Sequence, residues 1–178
     1  MQALAERHDE FGILQIDAHM DLRDSYEGFR YSHASAMHNA LQLESVQRLV
    51  QVGIRDFSQQ EFARLETEQD RLQAFTMRKL RQGQFRGETW AEQTDRSIAA
   101  LPDKVYLSFD IDGLDPGCRP ATGTPVPDGL RFEEAMYLLE QLQSSGRTII
   151  GADLVEVAPG EIDSIVGARV LYRLCGLI

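Results

Sequence analysis

Gly12-Ile13-Leu14-Gln15-Ile16-Asp17-Ala18-His19-Met20-Asp21 reads as a buried strand that runs straight into three potential metal ligands. Ile13 to Ile16 has the length and β-branching of a short central strand. At its end Asp17, His19 and Asp21 occupy every second position. Residues two apart in an extended chain point the same way, so the three side chains can face one cavity. Two carboxylates and an imidazole on one face suit a divalent metal better than a protein core, because an unpaired buried carboxylate is too costly to keep. The same residues also have a plainer use in α/β loops, with Asp capping the next helix and His at the surface. The motif alone leaves both open and needs a second half.

The 178 residues predict one domain, residues 1–178, with a single well-buried core. With 43% hydrophobic and 26% charged residues the composition is that of a soluble globular protein, and no apolar run approaches the ~20 residues of a membrane helix. Met1 to Glu10 is polar where a signal peptide would be apolar, so the cytoplasm is the expected compartment. Cys118 and Cys175 lie far apart without zinc or redox spacing, which argues against a disulfide framework. A net charge of −10 argues against nucleic acid or an anionic membrane as partner, and weakly favours a cationic small molecule.

Along the chain, helix-forming residues Gln2 to Asp9 lead into the first strand, and Leu22 to Ser32 is a polar loop with scattered aromatics. A short helix is expected over His33 to Leu43 with Ser32 as N-cap, then a strand over Leu49 to Ile54. A helix from Ser58 or Gln59 to Glu68 would bury Phe62 and Leu65. Leu72 to Met77 reads as a weaker strand and Lys79 to Arg86 as a basic connection. The helix Thr89 to Ala100 places Trp90, Thr94, Ile98 and Leu101 along one side. Val105 to Phe109 is a strong strand ending in Asp110-Ile111-Asp112. Gly113 to Gly129 holds four of the six prolines and reads as a structured loop. A helix over Arg131 to Ser145 closed by Gly146, a strand over Thr148 to Val157 and a helix over Glu161 to Leu174 complete the order. Alternating strands and helices predict a three-layer α/β/α sandwich with a mainly parallel sheet, whose ligands bind beyond the carboxyl ends of the strands.

The residues at those ends are Asp17, His19 and Asp21 after the first strand, Asp110 and Asp112 after the fourth, and Glu156 after the last. Asp110 and Asp112 repeat the two-apart spacing of the opening motif. An Asp-Gly turn with solvated carboxylates is the plainer account of them, but a second such pair at a second strand end makes it the weaker one. Four Asp side chains in one cavity cannot all stay ionised without cations. Oxygen-rich ligation with one histidine points to manganese or magnesium rather than zinc. A two-metal site commonly activates water for hydrolysis.

The chain resembles the ureohydrolases, the family of arginase, agmatinase and related guanidine hydrolases. The resemblance rests on Asp17-Ala18-His19-Met20-Asp21, Ser108-Phe109-Asp110-Ile111-Asp112-Gly113-Leu114-Asp115-Pro116, Gly123-Thr124-Pro125-Val126 and Asp153-Leu154-Val155-Glu156-Val157-Ala158-Pro159. It implies an arginase-like sheet and two Mn2+ ions with a bridging hydroxide. Asp17 and Asp110 would bridge the ions, His19 and Asp112 would complete one, and Asp21 would bind the other. His33 would pass a proton to the leaving amine, and Glu156 would pair with the substrate guanidinium. The loop Leu22 to Ser32 is bulky and lacks the Asn- and Ser-rich pattern of arginases. The agmatinase branch therefore fits best, with agmatine hydrolysed to putrescine and urea in polyamine biosynthesis; guanidinobutyrate or arginine are the alternatives. A deacetylase-like metal hydrolase would use similar ligands but has no need of Glu156. The resemblance also implies trimers or hexamers.

The family's first metal ligand lies in a Gly-Gly-Asp/Glu-His segment upstream of the opening strand, and the 178 residues contain none. The expectation is a ureohydrolase lacking its N-terminal strands, with one fully liganded metal and weak activity or none, which a metal-binding pseudoenzyme would share. His8 and His38 are unsuitable substitutes, the first for its distance and the second because five helical residues carry it off the face of His33.

Overall fold

The computed structural model describes residues 1–178. Five strands, β1 (Phe11–Ile16), β2 (Val46–Val52), β3 (Leu72–Phe75), β4 (Lys104–Asp110) and β5 (Thr148–Val155), form one sheet in the order β3-β2-β1-β4-β5. Every pairing is parallel. The expected α/β sandwich is therefore observed, with a sheet wholly rather than mainly parallel. β1 lies at its centre and is buried along its whole length, so neither of its faces is free for polar alternation.

The helices form two layers. Apolar side chains of α4 (Met77–Phe85), α5 (Trp90–Ala99), α6 (Phe132–Ser144) and α7 (Glu161–Cys175) pack with Leu14, Ile16, Val50, Val52, Leu107 and Phe109 on one face of the sheet. On the other, α1 (Gln2–Ala5), α2 (Ala36–Leu41) and α3 (Gln59–Thr67) join Phe11, Ile13 and Leu49. No helix is long and apolar enough to cross a membrane.

Capping explains where the helices begin. Ser58 and Thr89 each close a capping box, with Glu61 and Glu92 respectively, at the starts of α3 and α5. The basic stretch expected to be a connection is instead α4, because Thr76 caps it and Met77 and Leu80 reach the core. The predicted stripe on α3 is also corrected. Phe62 is exposed and stacks on Phe57 at 5.2 Å, while Glu61 turns inward. The helix expected over His33 to Leu43 begins as a 3-10 turn at His33–Ser35 before α2, and the first helix spans only Gln2–Ala5. Both cysteines are unpaired.

Candidate metal centre

The chain continues from β1 to β2 on one side and reaches β4 on the other only after β3, so β1 and β4 flank the point where the strand order reverses. A crevice opens at the carboxyl ends of strands at such a point. Ile16 and Phe109 are register partners, so Asp17 and Asp110 follow at neighbouring strand ends. One ligand atom from each of Asp17, His19 and Asp112 lies within 4.8 Å of the others. Asp17, Asp110 and Asp112 are each less than one-tenth exposed.

Backbone hydrogen bonds hold the two loops in place. The amide of His19 donates to Asp17 Oδ1 (2.6 Å), that of Ala18 to Asp112 Oδ1 (2.9 Å) and that of Asp112 to Asp110 Oδ1 (2.7 Å). The Ala18 bond ties the loop after β1 to the loop after β4. Arg55 donates to the carbonyls of Asp112 and Leu114 from Nη2, and Arg119, fully buried, donates to the same two carbonyls.

Charge is concentrated here. His19 Nδ1 stands 3.0 Å from Asp112 Oδ2 and 3.5 Å from Asp17 Oδ1. Those hydrogen bonds, the Asp112 one foremost, raise the imidazole to about 10 and keep it a cation. Burial pushes Asp110 and Asp21 far above the usual carboxylate range, and the charge of Asp17 pushes them further. Burial also raises Asp17, against its bond with His19. On Asp112 burial acts in the same upward direction, but hydrogen bonds from His19 and the Ala18 amide outweigh it and the carboxyl ends well below its ordinary value. Four carboxyls crowded around one cationic ring thus cannot share the same ionisation state.

A cavity of about 400 Å³ opens over this cluster, lined among others by His19, Asp21, His33, Asp110, Asp112 and Glu156. All seven residues singled out from the sequence are therefore brought to one place, with Asp17 beneath the lining. Asp21 and Glu156 share a left-handed backbone, with φ of 55° and 61°. For a non-glycine residue that conformation costs about 1–3 kcal/mol and clusters at functional sites. Two amides, of Met37 and His38, donate to the Asp21 carbonyl and hold it so. His33 is on the exposed rim, edge-on to Tyr26 at 5.5 Å, and Arg23 lies over the Tyr26 ring. His38 points elsewhere, its Nδ1 3.2 Å from Arg64, and His8 does not line the cavity.

Several lining residues are not among the seven candidates. Asp56 faces His19 Nε2 at 3.9 Å, Glu61 pairs with Arg23 at 3.6 Å, and Thr124 donates to Asp112 Oδ2 at 3.4 Å. In the sequence Arg55-Asp56 marks only the end of a strand, and Glu61 is only one position of a helix.

The model of the arginase family matches residues 1–176. The chain belongs to the arginase family. Guanidinobutyrase of Pseudomonas aeruginosa is 33% identical to it over 98% of this chain and 54% of the relative. Agmatinase of Proteus mirabilis is 34% identical over 96% and 52%. The solved structure of proclavaminate amidino hydrolase from Streptomyces clavuligerus superposes with a TM-score of 0.85 at 26% identity, covering 99% of this chain and 58% of that one. The chain spans about half the length of the curated relatives it matches. Arginase-family membership and the crevice at the β1/β4 strand ends both place at this opening a cluster able to hold a metal.

Proposed function

We propose that this chain carries the site of a manganese-dependent ureohydrolase whose substrate is agmatine, cleaved to putrescine and urea. The observation that supports it most is the meeting of Asp17, His19 and Asp112 within reach of one ion, with Asp21 and Asp110 in the same cavity. The residues fit the metal: oxygen donors with a single imidazole are the chemistry of Mn2+ or Mg2+. Asp17, His19, Asp110 and Asp112 would hold one ion, and Asp17, Asp21 and Asp110 would contribute to a second. Such ions, when bound, acidify water and polarise the group it attacks.

The remaining chemistry belongs to side chains. Glu156, at the cavity edge, would accept two N–H bonds from a guanidinium in one plane. His33, at the exposed rim, would give a proton to the departing nitrogen, so that it leaves as a neutral amine and not as an anion. The ions would offset Asp21, Asp110 and Asp112, which leaves Asp56, Glu61 and Glu156 lining the cavity against one arginine already paired with Glu61. A substrate cationic at both ends matches that surface better than one ending in a carboxylate, which favours agmatine over guanidinobutyrate or arginine. Cytoplasmic location and a homo-oligomer belong to the same proposal.

Urea release from agmatine, guanidinobutyrate and arginine, with and without Mn2+, tests it. Mn2+-dependent urea, fastest from agmatine, is expected. A second reading, a metal-binding protein without hydrolysis, is favoured by one fact: only Asp17, His19 and Asp112 stand within mutual reach. Binding of one Mn2+ per chain with no urea from any of the three would select it.

A further inference from the structure

Two glutamine side chains, Gln15 and Gln51, are fully buried on the α1–α3 side of the sheet. They are register partners on β1 and β2, and Gln15 precedes Asp17 by two residues. Amides in an apolar layer need a reason, since each buried polar atom must be matched. Their hydrogen bonds run in one direction. Gln51 Nε2 donates to the Met20 carbonyl (2.8 Å) and to Gln15 Oε1 (2.6 Å). Gln15 Nε2 donates to Asp17 Oδ2 (2.7 Å) and to the His19 carbonyl (3.3 Å). Carbonyl oxygens only accept, so Met20 and His19 fix which end of each amide carries the hydrogens. Flipping either amide would set oxygen against oxygen.

We propose that Gln51 and Gln15 form an amide relay that orients Asp17 for a divalent cation, making both glutamines positioning residues of the metal centre. Asp17 Oδ2 is held by Gln15 and Oδ1 by the His19 amide, which fixes the carboxylate plane. Each oxygen retains a lone pair for a metal. The same two glutamines grip the carbonyls of His19 and Met20, so the turn that carries the ligands is registered against β2. Gln51 Oε1 ends the relay, buried and without a partner. An orphan acceptor costs about 1–3 kcal/mol, which a pair serving stability alone would not retain. What that cost maintains is the orientation of the donor end.

The inference rests on the metal-site reading above, and its test separates the two. Gln15→Met and Gln51→Met are close to isosteric, and the second also removes the orphan oxygen. Mn2+ affinity of the full chain is read from free Mn2+ by electron paramagnetic resonance, and the metal-free thermal midpoint by circular dichroism. The Kd for Mn2+ is expected to rise about 10–100-fold in Gln15→Met. Gln51→Met is expected to weaken Mn2+ binding and, because it leaves the Met20 carbonyl and Gln15 Oε1 without their donor, to lower the metal-free midpoint as well. The double variant is expected to weaken Mn2+ binding by less than the product of the two single effects, because part of what Gln51 does passes through Gln15. An unchanged Kd in folded Gln51→Met, or effects that simply add in the double variant, would overturn the relay. If Gln15→Met does not fold, Gln51→Met alone decides. Wild-type chain that binds Mn2+ but releases no urea removes the hydrolase reading and not the relay; wild-type chain that binds no Mn2+ overturns both.

Discussion

A β-carbon at Gly113 would stand 2.8 Å from the Asp17 amide nitrogen and 2.9 Å from Ile16 Cγ2. The loops after β1 and β4 therefore meet at a position where any side chain drives them apart. Gly113→Ala is expected to cost about 1–3 kcal/mol in urea denaturation by overpacking. Because the displaced backbone carries ligands, Mn2+ affinity should fall with it. Asp112 offers the complementary test, since Asp112→Asn keeps an acceptor for the Ala18 amide but removes the charge. Its metal-free stability should fall near neutrality, because His19 loses its charged partner at 3.0 Å, while Mn2+ affinity drops more than the ~100-fold typical of losing an outer partner; thermal melts and calorimetric titration would show the two in turn. The candidate ligands were legible because they repeat a two-residue spacing at two strand ends. Asp56, Glu61 and the role of Gln15 were not, since what distinguishes them is proximity across the fold and no local pattern records it.

Among the elements, α4 is the clearest case of a local pattern misread. Its charge density suggests a solvated connection, yet only Met77 and Leu80 are needed to anchor it, and its arginine finds a partner 53 residues later. Arg81 Nη1 donates to Glu134 Oε1 at 3.1 Å, and the Arg131 amide donates to Glu134 Oε2 at 2.9 Å at the start of α6. Burial raises the Glu134 carboxyl, but those donors and the Arg81 charge outweigh it, leaving it below its usual value. A depressed carboxyl stabilises the fold above its unfolded value and loses that contribution as pH falls through the folded one. Glu134→Gln should therefore lower stability by about 2 kcal/mol near neutrality. The gap should close as pH falls below about 5, and thermal melts across that range would show it. Phe62 makes the same point about register: three-residue spacing with Leu65 is real, but the capping box turns Glu61 inward and rotates Phe62 out.

On the scale of the whole molecule, the strand–helix alternation and the position of the site were readable because β1 is apolar but for Gln15 and its candidate ligands follow at once. Strand order was not, since a parallel sheet can be threaded in several orders by the same alternation. The order β3-β2-β1-β4-β5 is what sets the two acidic strand ends side by side. With those strand ends offset by bound metal, the negative charge left around the opening of a molecule already at −10 is that of Asp56, Glu61 and Glu156. A cleft lined by one sign of charge draws in ligands of the other, and salt weakens the attraction as the screening length shortens from ~30 Å at 0.01 M to ~8 Å at 0.15 M. Over that range the KM for agmatine, cationic at both ends, should rise by about threefold or more with kcat unchanged. Guanidinobutyrate, which carries one charge of each sign, should respond little. Steady-state kinetics for both substrates at matched free Mn2+ would decide the matter. Equal salt dependence for the two would show that the acidic lining does not select the amine, leaving agmatine no better supported than its carboxylate analogue.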